Sequence, residues 1–595
     1  MLSHKLVDAA GNASTTPVYI ENIFSTYLYT GTGASRSITN NINLSINNGM
    51  VWIKDRTNAY NNNLFDTVQG TTKLLHSNTT AASTTDSNSL TAFNSTGFTL
   101  GSGNTSGNQV NTSADSFASW SFQKQTKFFD IQTYTGTGSA HTISHALGAT
   151  PGCIIVKRTD TTGNWAVYHS GLNGGTTPQN YYAFLNTTAA QTSSSAYWNN
   201  TAPTSSVFTV GTSTDVNASG GTYIAYIFGP GGTGGFGLNG TDNVISCGVY
   251  SGLGAVNLGF EPQWILMKPS GNVTDWRIWD TMRGFSLTGG VVLNPNVSAQ
   301  ESGGASPFYP TATGFVDNAL GYTNTMYIAI RRGPMATPTL GTSVFTPQLG
   351  TPSASPNTVT TGFPVDLLIN KENNGATNGN NWVFDRLRGA SQSSARALIT
   401  DSQNAENTIL TYGIGFDNNT GIVDNYNGTD LGITDTVTYW NFARAPGFFD
   451  VVCYAGTGSN TTQAHNLGIV PQLIIIKNRP GTFDWGVYNA SIGNTKYLAL
   501  DSAIAATTGT TYWNSTTPTS SVFSIGTSTA TNASGANYVA YLFGTVSGVS
   551  YVGSYTGTAA TQTINCGFGS SGARFLLIKR TDAAGDWYVL SLIHI

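Results

Sequence analysis

Lysine and aspartate recur in this chain at a spacing that could do chemistry. Lys54 precedes Asp66, Lys268 precedes Asp280 and Lys371 precedes Asp385, in the runs VWIK…LFDTVQG, ILMK…IWDTMRG and LLINK…VFDRLRG. A desolvated lysine near a carboxylate can serve Schiff-base or acid–base catalysis. It can equally form a partly buried ion pair at a strand end. Repetition favours the ion pair, because Lys157, Lys477 and Lys579 end the same apolar run where that aspartate signature is missing. A scaffold repeats its lysine in every copy, whereas a catalytic centre repeated that often would be unusual. A glycosidase needs two apposed carboxylates. With 29 Asp and Glu in 595 residues, repeated carboxylate pairs are hard to find. GxSxG, HExxH and Walker A patterns do not occur.

Histidines and aromatics offer further candidates. His145 and His465 occupy equivalent places, in SHALG and AHNLG. They read as turn or strand-edge residues, because a metal site would want an acidic partner and His141 has no counterpart near His465. Trp165, Trp276, Trp382, Trp485 and Trp587 recur as the lead residue of a strand and read as sandwich core. The triplets Tyr197–Trp198–Asn199 and Tyr512–Trp513–Asn514 sit in polar, turn-rich sequence. Their rings could stack on the apolar face of a sugar while the amide bonds its rim. Packing of a corner, or a contact between modules, is the alternative.

These residues are positioned by a tandem array. YTGTGSAHTISHALG from Tyr134 returns as YAGTGSNTTQAHNLG from Tyr454, and YWNNTAPTSSVF from Tyr197 returns as YWNSTTPTSSVF from Tyr512. The period is about 100 residues, the size of one β-sandwich. Closing runs such as IAYIF and VAYLF alternate with period two, and helical periodicity is nearly absent. The fold class is therefore all-β: a tandem array of β-sandwich modules arranged as beads.

The expected boundaries are a lead-in at 1–23 and modules at 24–126, 127–229, 243–335, 336–445 and 446–545. A glycine-rich linker spans 230–242, and GPMATPTLGTS from Gly333 reads as a second. A sixth, half-length module runs over 546–589. The last hexapeptide, LSLIHI at 590–595, resembles the translated end of a sequencing adaptor. Native sequence is expected to end near Val589, and the hexapeptide should make no regular strand pairing with the preceding modules.

Composition excludes several classes. Charged residues are 9% of the chain and aromatics 11%, which argues against wholesale disorder. The net charge is −4, and no basic cluster offers a nucleic-acid footprint. No apolar stretch approaches a membrane span. Cys153, Cys247, Cys453 and Cys566 lie far apart and read as buried free thiols. No cofactor is implied.

The run FSTYLYTGTGASRSITNNINLS…GMVWIKDR…LFDTVQGTTKLL, with the repeated WAVYH and YIAYIFG endings, resembles tail or tail-fibre proteins of marine and cyanobacterial tailed phages. That resemblance implies modules similar to concanavalin- or laminin-G-type jelly rolls, and it carries over no catalytic residue. It further implies a virion location, extracellular after release. The implied partners are other tail proteins and a host cell-surface glycan or receptor, and a homo-oligomer such as a trimer. A tail polysaccharide depolymerase and a bacterial surface adhesin are the alternative readings.

Overall fold

Thr, Val, Ile and aromatic runs favour a pleated, half-buried backbone, and they form strands throughout. The computed structural model describes residues 16–594 except 104–106, 288–289, 304–307, 351–356, 374–379, 392–393, 410–412, 425–435 and 570–571. Residues 1–15 of the expected lead-in, and Ile595 of the expected tail, lie outside the described residues.

Each of the first five modules holds one large antiparallel sheet built in a single order: opening strand, closing strand, lysine strand, tryptophan strand. In module two these are Phe129–Thr135, Thr222–Phe228, Cys153–Arg158 and Trp165–His169. The lysine strands elsewhere are Gly49–Asp55, Pro262–Pro269, Leu367–Glu372 and Leu473–Asn478. A second sheet of two or three strands covers one face. The α-helices among the described residues are single turns in modules two and five: Ser195–Trp198, Thr214–Asn217, Thr510–Trp513 and Thr529–Asn532.

The modules are not beads. The lysine strand of module two is buried along nearly its whole length, on both faces. Ile154 and Val156 point into the sandwich with Tyr168 and Phe208. Ile155 points outward, into an apolar cluster that also contains Trp52 and Leu64 of module one and Trp264 and Ile328 of module three. The runs IIVK and ILMK are continuously apolar because both sides of the sheet are covered. Modules one, two and three thus share a core outside their own sandwiches. Trp165 and Trp276 lie in that shared core rather than in a sandwich interior. Trp485 lies in the corresponding core of the second half, with Trp382 and Trp587 packed against it.

Pairwise contacts close modules one to three into a ring. Modules four, five and six repeat the arrangement, with the hairpin Phe575–Lys579 and Trp587–Ser591 of module six in the third position. There Phe575 packs edge-on to Phe442 of module four, with ring centroids 5.8 Å apart.

Both expected linkers are docked rather than free. Phe236 is buried in the first ring's shared core. The Glu21 carboxylate accepts from the backbone N–H groups of Met335 and Ala336, tying the start of ring one to its exit. Leu590 and Ser591 of the terminal hexapeptide continue a strand, paired with Leu576 and Phe575 of their own module. Leu592 is half exposed.

Candidate functional site

The expected lysine–aspartate pairs do not form, and hairpin register explains why. Met50 stands opposite Asp66 while Lys54 stands opposite Asn62. Leu367 stands opposite Asp385 and Lys371 opposite Asn381, and in module three Trp264 faces Asp280. Four residues of strand separate the two charges, about 13 Å at the usual rise. Lysine and aspartate therefore mark opposite ends of each sheet.

At the lysine end the ammonium groups fasten one module to the previous one. Lys157 Nζ donates to Arg158 O at 2.7 Å and to Thr80 O of module one at 3.3 Å. Lys268 donates to Thr188 O of module two at 2.8 Å. Lys54 closes the ring by donating to Ser298 O of module three at 3.1 Å. In the second ring Lys477 donates to Gln403 O of module four at 2.7 Å, and Lys579 to Ser502 O of module five at 3.2 Å. The tryptophans follow the same rule. Trp165 Nε1 donates to His76 O at 3.0 Å, Trp276 to Phe184 O at 2.9 Å, Trp485 to Ile399 O at 2.8 Å and Trp587 to Ala499 O at 2.8 Å. Burial pulls Lys54, Lys157, Lys268 and Lys477 down to about 8, so near neutral pH they keep a proton to donate.

At the other end the aspartates bond forward to a neighbour. Asp66 accepts from Tyr226 Oη of module two at 2.9 Å, Asp280 from Trp120 Nε1 of module one at 3.1 Å and Asp385 from Tyr541 Oη of module five at 2.7 Å. Burial raises Asp66 despite these bonds. In modules three and four the aspartate begins a buried relay. Asp280 holds Arg283 at 2.6 Å, Arg283 reaches Glu301 at 3.2 Å, and Glu301 holds Arg56 of module one at 2.8 Å. Asp385, Arg388, Glu406 and Arg479 of module five repeat it. Burial alone would raise Glu301 and Glu406, yet the arginines on either side hold both below the usual carboxylate range. The arginines were not singled out in the sequence, although DTMRG and DRLRG place one three residues after each aspartate.

The triplet residues are packed rather than open to a sugar. Tyr197 and Trp198 line the interior of module two, and Tyr182 stacks on Tyr197 with centroids 3.7 Å apart. Trp513 is buried and Tyr512 is covered by Tyr497 at 3.9 Å. Asn199 and Asn514 cap the helices Ser195–Trp198 and Thr510–Trp513 at their C-terminal ends in the left-handed conformation, both at φ 50°. A helix-capping signal was thus present in SSSAYWN, where Ser194 accepts from Ala196 N. His145 and His465 are turn residues: Nδ1 accepts from Leu147 N and Leu467 N, and Nε2 meets Thr204 O and Thr519 O.

The two rings meet through a charge cluster. Arg444 bonds Glu261 at 2.9 Å, Arg332 bonds Glu261 at 3.1 Å and Asp450 at 3.5 Å, and Arg386 bonds Asp366 at 3.3 Å. Part of the cluster repeats an earlier pair: Arg444 and Asp450 in FARAPGFFD stand where Lys124 and Asp130 stand in FQKQTKFFD, and Lys124 bonds Asp130 at 2.7 Å. Among the described residues, no group of three or more His, Cys, Asp and Glu could hold a metal ion. No helix among them is long and apolar enough to cross a membrane.

Fold and contacts define a class: an all-β scaffold whose recurrent polar residues bind module to module. The chain belongs to the family described as a domain of unknown function, DUF7483, which matches residues 21–319 and 341–592. The two matches fall one in each ring and run across three consecutive modules, the first ending before module three's closing strand, Thr325–Arg331. No curated protein matches the chain.

Proposed function

We propose that this protein is a structural component of a tailed-phage particle, a tail fibre or tail-associated protein that carries repeated modules to a host surface glycan. One observation carries the reading: three sandwiches close around a common core, and the second half of the chain repeats the arrangement with two sandwiches and the module-six hairpin. A trimer-like cross-section within one polypeptide suits a rod that must stay assembled outside a cell. Its recurrent charges serve cohesion, which favours a scaffold over a depolymerase. Weak surface sites repeated along such a rod would gain avidity through linkage. The sugar contacts would come from exposed loops, since the Tyr–Trp pairs are packed.

Antibody labelling of purified particles, with mass spectrometry of the same fraction, tests the reading. The expected result is tail labelling and recovery of the chain with other tail proteins. Recovery from the host envelope alone would overturn it. Incubation with host envelope glycans should give binding; released oligosaccharide would favour the depolymerase.

A further inference from the structure

Modules one, two and five share a corner that module one furnishes differently. The residue after the strand lysine faces an aromatic of the closing strand: Arg158 faces Tyr223, Asn478 faces Tyr538 and Asp55 faces Phe117. The three aromatics stand alike, each stacked on a tyrosine of the opening strand with centroids 5.1 Å apart. In modules two and five the tyrosine hydroxyl fills the corner. Tyr223 Oη accepts from Ala218 N at 2.7 Å and donates to Thr214 O at 2.8 Å. Tyr538 Oη makes the same two bonds with Ala533 N and Thr529 O, and accepts a third from Asn478 Nδ2 at 2.9 Å.

Phe117 carries no hydroxyl, and module one brings other oxygens to the same corner. Gly31 N donates to Asp115 O as Gly136 N donates to Gly221 O, both at 2.8 Å, so Asp115 holds the position of Gly221 and Thr112 that of Ala218. A Cβ at Gly221 would stand 3.1 Å from the Tyr223 hydroxyl and 3.2 Å from Arg158 Nε. The Asp115 side chain therefore starts towards the place of that hydroxyl and towards Asp55. Asp55 is fully buried: its Oδ1 accepts from Thr57 N and Asn58 N, both at 2.8 Å, while its Oδ2 meets no donor. Asp115 Oδ2 and Thr112 Oγ1 are likewise buried without a hydrogen-bond partner. Among the described residues neither carboxylate is in an ion pair. Burial, with the Asp115 charge adding to it, raises Asp55 to about 6. Two buried carboxylates that converge with no donor between them call for a positive charge.

We propose that module one binds a calcium ion between Asp55 Oδ2 and Asp115 Oδ2, with Thr112 Oγ1 as a third ligand. An all-oxygen set selects a hard cation. Calcium accepts an irregular shell completed by water, which suits ligands from a strand end and a turn, whereas magnesium demands a near-ideal octahedron. Modules two and five offer no such set, because Ala218 and Gly221, like Ala533 and Ala536, carry no side-chain oxygen. The ion would do for module one what the tyrosine hydroxyl does for its sisters, fastening the end of the lysine strand to the turn before the closing strand.

The test adds calcium chloride to the full chain after dialysis against a chelator, near neutral pH. Hydrogen exchange should slow about tenfold or more at residues 55–58 and 112–117, with module five unchanged. Half of the effect should come at about 10⁻⁴–10⁻³ M calcium, the range of extracellular modules, and magnesium chloride at the same concentration should do much less. The double variant Asp55→Asn/Asp115→Asn keeps the shapes, removes both charges and should abolish the response. If that variant fails to fold, the calcium and magnesium titrations of the unaltered chain still decide. No slowing at these residues, the result if the two carboxylates share one proton instead, would overturn the proposal. So would an equal effect of magnesium, or an undiminished response in the folded variant.

Discussion

The histidine in SHALG and AHNLG shows what one residue contributes and how it can be tested. Its Nδ1 accepts from the residue two ahead, so neutral imidazole with the proton on Nε2 is the form that fits. Burial lowers His145 and brings His465 down to about 4. The unfolded value is about 6.5. Between about pH 4 and 6.5 the unfolded chain binds more protons, so stability rises with pH across that window. Their contribution is complete above about 6.5 and is lost as pH falls towards 4. Module one places Asn40 at this position, where Oδ1 accepts from Ile42 N. The variant His145→Asn/His465→Asn should therefore keep the fold and melt with a shallower dependence on pH between 6.5 and 4. An unchanged slope would show that other groups govern acid sensitivity. At this scale the sequence was partly legible. Two equivalent histidines marked a turn, but the arginines three residues after Asp280 and Asp385 were passed over. Their acidic partners, Glu301 and Glu406, stand in loops, and each follows its arginine by 18 residues, a spacing that was passed over as well.

Among elements, the tryptophan-bearing hairpin does most to join the modules. Sequence alternation correctly indicated strands, turns and a second layer. It placed Trp165 in a sandwich because period two identifies one buried face and is silent about the other. The continuous apolar run IIVK carried the missing information, since such runs mark strands covered on both sides. Trp165→Ala should destabilise by about 3–5 kcal/mol, the usual loss for a buried aromatic. Urea titration of the full chain reads this directly. The variant should also speed exchange at His76 and Thr79, whose carbonyls accept from the indole. Destabilisation without any change in module one would contradict the placement. Lys157→Met removes the donor to Thr80 and Arg158 while keeping most of the stem. Both carbonyls then lose the ammonium, although Thr80 O keeps its bond from Gly163 N at 2.9 Å, with an expected loss of about 1–3 kcal/mol. A neutral or stabilised variant would show that the ammonium is dispensable there.

For the whole molecule, the decisive quantity is the size of the folding unit. Repetition at about 100 residues suggested independent domains of that size. The ring could not be read from the period, because which faces meet depends on contacts between residues far apart in the chain. Family matches spanning residues 21–319 and 341–592 agree with a unit of three modules. The most direct measurement compares residues 16–337, the first ring, with residues 127–229, its second module, by sedimentation and chemical denaturation. The account predicts a monomeric ring piece that unfolds cooperatively. It predicts that the isolated module, with Ile155, Trp165 and Tyr226 stripped of cover, is unstable or associates. An isolated module that is monomeric and as stable as the ring piece would contradict the account.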